Sequence, residues 1–105
     1  MKRKHLKFGK GFRVAIGNKR SQAAEMVIPP GDAEGDPANR HKGADQLLHV
    51  LEDKGSALIN GRRSAIGPGT LLLIARGDRH EIRNTGRALL RTLNWSCMIL
   101  LLYIQ

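Results

Sequence analysis

Three side chains carry lone pairs suited to a divalent ion: His41 and Gln46 in "NRHKGADQ" (39–46), and His80 in "GDRHEIRN" (77–84). Imidazole nitrogen combined with amide oxygen suits zinc, iron, nickel or manganese. Three protein donors leave open positions, where a small polar molecule can be bound or polarised. The competing reading makes 39–46 a charged loop ahead of a strand, with its histidine at the surface. No Ser/His/Asp or Cys/His arrangement is legible, and no carboxylate pair has a defined spacing. Whatever chemistry there is falls to the metal, and turnover is left open.

These residues have to be held by strands. Short apolar or alternating runs recur along the chain, separated by Gly, Pro, Asn and Asp, and no segment sustains a helical repeat. The expected strands are "FRVAI", "AAEMVI", "QLLHVLE", "SALIN", "RSAI", "TLLLIA", "HEIRN" and "ALLRTLN", which makes the chain all-β. Asn60-Gly61 suits a type I′ hairpin, and "GPG" at 67–69 and Thr85-Gly86 suit other tight turns. The stretch "PPGDAEGDPANR" (29–40) is expected to be the one long loop, being polar and rich in Pro and Gly. In "QLLHVLE" a period of two puts Gln46, Leu48 and Val50 on one face and Leu47, His49 and Leu51 on the other. Gln46 therefore points inward with apolar neighbours, where a buried amide needs a partner that a metal or an ordered water can supply. Asp45 points the opposite way and His49 is structural. Glu25 either lines the interior or makes an exposed salt bridge. Asn84 is expected to fix the turn after its strand through bonds to backbone.

The spacing carries a resemblance as well. Gly69, five residues, Ala75-Arg76-Gly77, two residues, His80, three residues and Asn84 is similar to the second motif of the cupin family, G-x5-P-x-G-x2-H-x3-N, with Ala75 where Pro is usual. The first motif, G-x5-H-x-H-x3–4-E-x6-G, is matched less fully. Gly35 to His41 has the spacing of its glycine and first histidine, and His41 to Gln46 that of its second histidine and glutamate. If His41 is the second histidine, Asn39 occupies the first position; if it is the first, Gly43 occupies the second. Gln46 stands for the glutamate either way. The resemblance spans roughly 23–94 and is strongest to a subgroup of small single-domain cupins. It implies a double-stranded antiparallel β-barrel of jelly-roll type, often dimeric, with a divalent metal held inside by both motifs: here His41, Gln46 and His80. After Asn94 the match ends, and "WSCMILLLYIQ" replaces the aromatic, Pro-containing tail of that subgroup.

Composition bounds the rest. At 105 residues the chain is expected to be one unit, with a basic arm over 1–12 and the barrel over 13–105. Cys97 is the only cysteine, so no disulfide forms within the chain, and a cytoplasmic setting is expected. The apolar run at 97–105 is far short of a bilayer span and is expected to be a buried strand or an interface between two copies. Cys97 itself is expected to be a buried small apolar residue. Net charge is +9, and eight of the 18 Lys and Arg lie in the first twenty residues. A basic arm of this kind can contact polyanions, but without stacking aromatics or a recognised DNA-binding spacing nucleic acid is not the expected partner. The reading that follows is a metal-binding small cupin acting on or sensing a small polar molecule, as a homodimer. The alternatives are a ligand-binding barrel without turnover, and an interaction module whose arm meets an acidic partner.

Overall fold

The computed structural model describes residues 1–40 and 45–97. Among them are β1 (Gly11–Gly17), β2 (Ser21–Ile28), β3 (Ala33–Arg40), β4 (Gln46–Glu52), β5 (Gly55–Ile59), β6 (Arg62–Ile66), β7 (Leu71–Ile74), β8 (Arg79–Asn84) and β9 (Leu90–Cys97). Five strands form one sheet in the order β1-β2-β9-β4-β7, and four form the other in the order β3-β8-β5-β6. All pairings are antiparallel. Met26, Ile28, Leu48, Val50, Ile74 and Leu90 of the first sheet meet Ala57, Ile66 and Ile82 of the second in one core. The β-branched residues at alternating positions of these strands hold the two faces together. No helix among the described residues is long and apolar enough to cross a membrane.

The turns follow their residue types. Ile59 pairs with Arg62 across Asn60 and Gly61, whose φ values of 50° and 81° are those of a type I′ turn. At 67–70 Gly69 has φ 89° after Pro68, and Thr70 returns its N–H to the Gly67 carbonyl at 2.9 Å, as in a type II turn. Asn84 meets its expectation: Nδ2 donates to the carbonyls of Ile28 and Ala88, both at 2.7 Å, and Oδ1 accepts the Gly86 N–H at 2.8 Å.

One expectation fails. Most of the stretch expected as a long loop is β3, paired with β8 from Ala33↔Arg83 to Asp36↔His80. Its composition deceives because β3 is an edge strand with a register shift between Asp36 and Arg40. An edge with a bulge is where a proline such as Pro37 costs no ladder bond. Gly35, at φ 105°, is also required there. A Cβ on it would lie 2.6 Å from the His80 carbonyl oxygen and 3.2 Å from the His80 ring.

Glu25 makes the salt bridge that was one of its expected settings, but in a buried position and not an exposed one. It is only 2% exposed, yet it alternates with Ala24 and Met26 and so lies on the outer side of the sheet. There it accepts the Phe8 N–H at 3.1 Å and faces the Arg13 guanidinium at 3.9 Å. The chain ahead of β1 is thus laid against the sheet at Phe8, whose ring carries the Arg91 guanidinium 6.0 Å from its centroid. The expectations for His41, for the Cys97 side chain and for 98–105 lie outside the described residues.

Candidate functional site

Gln46 and His80 enter the interior from opposite sheets at the same end of the molecule. Gln46 opens β4, opposite Ile74, the last residue of β7. The four-residue turn 75–78 then leads into β8, where His80 is the second residue. By the period of two, Gln46 shares a face with the core residues Leu48 and Val50, and His80 with Ile82 and Asn84. Gln46 is buried, as its alternation with Leu48 and Val50 led one to expect, and His80 is half-buried.

The turn between them is tied on three sides. Asp78 donates its N–H to the Ala75 carbonyl at 2.9 Å, and its carboxylate accepts the Ala75 N–H at 2.8 Å. The second bond accounts for Ala75 in place of proline, since a proline has no N–H to give. Asp45 accepts the Arg76 N–H at 2.9 Å, so it holds the turn from outside and is not aimed at the interior. Asn60 donates to Asp78 at 2.8 Å and accepts the Arg79 N–H at 2.9 Å, which binds the β5–β6 hairpin to the start of β8.

The partner of the Gln46 amide is protein. Its Nε2 donates to Asn94 Oδ1 at 2.6 Å, Asn94 Nδ2 donates to Thr92 Oγ1 at 3.0 Å, and the Thr92 hydroxyl donates to the Met26 carbonyl at 2.9 Å. The direction of this relay is forced. A hydroxyl has one proton, and the Met26 carbonyl can only accept. Thr92 must then accept from Asn94, so Asn94 turns its oxygen to Gln46 and Gln46 turns its nitrogen to Asn94. The atom left for the interior is Gln46 Oε1, and no described residue donates to it. Sequence reading missed Thr92 and Asn94. A signal was present: in "LRTLNWS" the polar residues Thr92, Asn94 and Ser96 alternate with Leu93 and Trp95, a half-buried pattern in which either set can face inward.

The outward set makes a second surface. Leu71 and Leu73 of edge strand β7 are 61% and 63% exposed, and Leu47 and Trp95 are exposed beside them. His49 stacks on Trp95 with ring centroids 6.4 Å apart, on this outer face, in keeping with a structural role.

Among the described residues no group of three His, Cys, Asp or Glu is placed to hold an ion. The described part of the donor set is compatible with a divalent ion, because an amide whose nitrogen is committed to Asn94 offers an oxygen lone pair of the kind such an ion takes.

The matches to known proteins agree with this architecture. The family described as Cupin domain matches residues 24–96, and the chain belongs to that family. A Methanocaldococcus jannaschii protein of the RmlC-like cupin family, with a double-stranded β-helix fold, superposes with a TM-score of 0.81 at 12% identity, over 93% of this chain and 91% of that one. The two-sheet arrangement is accordingly the cupin jelly roll. A Thermotoga maritima protein described as a predicted oxalate decarboxylase superposes with a TM-score of 0.73 at 26% identity, over 83% and 78% of the chains. An oxalate-binding protein of Thermotoga maritima is 32% identical over 72 residues; the match takes in 69% of this chain and 58% of that protein, somewhat over half its length.

Proposed function

We propose that the chain is a metal-binding cupin that takes a small anionic ligand of the size and charge of oxalate, with His41, Gln46 and His80 holding the ion. The observation that carries this reading is the relay, which commits the Gln46 nitrogen to Asn94 and leaves its amide oxygen as the donor available on the inner face of β4. A divalent ion held there would supply open positions for a carboxylate oxygen. Anion preference is supported by arginines around the 75–78 turn and the β5–β6 hairpin. Arg62 stands in the same register row as His80 through Ile59. Arg76 and Arg79 line a cleft of about 320 Å³ with Asn60, Gly77 and Asp78. The oxalate-binding relative supports the same class of ligand.

The residue at position 46 favours binding over proton transfer. An amide cannot take up and return a proton near neutral pH as a carboxylate can. Two imidazoles and an amide also make a neutral site, of modest affinity and partial occupancy. Metal content of protein purified without added metal, followed by calorimetric titration of oxalate with and without Mn²⁺, tests the reading. The expected result is a metal content below one ion per chain and oxalate heat only when Mn²⁺ is present. Absence of bound metal after incubation with Mn²⁺, together with no oxalate heat, overturns it.

A second copy of the chain, in a cytoplasmic setting, completes the reading, supported by the exposed apolar face at Leu47, Leu71, Leu73 and Trp95. Light scattering at micromolar concentration is expected to give the mass of a dimer, and a Leu71→Asp, Leu73→Asp variant that of a monomer. A monomeric parent chain removes this part of the reading.

A further inference from the structure

We infer that Asn94 and Thr92 are positioning residues that make Gln46 present an oxygen, and not its NH2 group, to the interior. This inference rests on the reading of 46 as a ligand position and adds what decides the polarity there. An amide side chain is nearly symmetric in shape, and rotating it by half a turn exchanges a lone-pair donor for a pair of N–H groups. Left to itself, Gln46 would present either. The choice is made at the far end of the relay by the Met26 main-chain carbonyl, which cannot donate and so sets Thr92, then Asn94, then Gln46. Thr92 and Asn94 are 0% and 2% exposed, so water is not at hand to relieve a reversed member of that pair, while Gln46 is 9% exposed. The relay crosses from β4 to β9 and β2, joining three neighbouring strands of one sheet.

Substitutions at Asn94 separate positioning from packing. Asn94→Asp retains an acceptor for Gln46 Nε2, whereas Asn94→Leu retains the volume and removes it. With Co²⁺ alone as the probe, added to metal-free protein and followed by its visible absorption, Asn94→Leu is expected to bind about ten- to hundredfold more weakly than the parent chain, the usual effect of losing a residue that orients a ligand. Asn94→Asp is expected to fold less stably, since it buries a charge and sets an oxygen against Thr92 Oγ1, but where folded it keeps the acceptor for Gln46 Nε2 and binds Co²⁺ more tightly than Asn94→Leu.

A second readout needs no metal. In the ¹⁵N–¹H spectrum of the metal-free protein, Gln46 is expected to give one NH2 pair, with one proton protected from exchange. The protection should persist in Asn94→Asp and vanish in Asn94→Leu. Should Asn94→Leu fail to fold, Thr92→Val, which matches threonine in shape, decides: two Gln46 NH2 environments are expected there and one in Thr92→Ser. An unprotected Gln46 amide in the parent, or a single unchanged environment in Thr92→Val, overturns the inference. If the parent chain takes no Co²⁺ while these amide signals behave as stated, the metal reading falls and the positioning of Gln46 stands.

Discussion

An Asn84→Leu variant should lose about 3 kcal/mol of folding stability, because one buried and two partly buried backbone groups lose a side-chain partner and an orphaned buried group costs roughly 1–3 kcal/mol. Asn84 is 1% exposed, and its amide joins the end of β2 at Ile28 to the loop at Ala88 and Gly86. Aspartate in its place should be worse than leucine despite the similar shape. It would turn a carboxylate oxygen toward two carbonyl oxygens that now lie 2.7 Å from a donor, and it would bury a charge without a counter-ion. Domains of this size have about 5–15 kcal/mol in all, so Asn84→Asp is expected to be largely unfolded at 37 °C. Urea unfolding followed by circular dichroism measures both. A midpoint for Asn84→Leu within error of the parent would show that the turn after β8 finds other partners.

His80→Ala should abolish retention of divalent metal while leaving the fold intact, and His49→Ala should leave both the metal and the fold in place. The contrast comes from the pleat. His80 lies on the inner face with Ile82 and Asn84, whereas His49 lies on the outer face of β4 and stacks on Trp95. Removing His49 costs only a partly exposed ring contact of about 1 kcal/mol. Removing His80 takes an imidazole donor from a site that has no charged ligand in reserve, and two neutral donors hold a divalent ion poorly. Metal content after dialysis, read beside the melting temperature, distinguishes the two. Equal metal in His80→Ala and the parent would place the ion elsewhere; loss of metal in His49→Ala with the fold preserved would place it on the outer face.

Much of the site could be read from spacing because strands and tight turns impose it locally. The inward direction of Gln46 follows from two-residue alternation within β4, and that of His80 from its offset to Ile82 in β8. Asn60-Gly61 and Pro68-Gly69 formed the expected turns, since the φ values those turns demand are carried by few residue types. Such features depend on neighbours in the chain, and neighbours in the chain are what a sequence displays.

What the tertiary structure alone decided involves partners distant in sequence. The chain 33–40 is a strand because β8 lies beside it, and the close approach of Gly35 to His80 has no local signature beyond the glycine itself. Glu25 is buried without lining the interior because Phe8, seventeen residues earlier, reaches its carboxylate. Alternation in "LRTLNWS" marks two faces of β9 but not which one is inside; packing turned Thr92 and Asn94 inward and left Trp95 outside, against the simpler expectation that apolar side chains fill the core. The polarity of Gln46 is the furthest from the sequence. It depends on a main-chain carbonyl at Met26, twenty positions away and two strands across the sheet, because a hydrogen bond has a direction that only the complete set of partners can set.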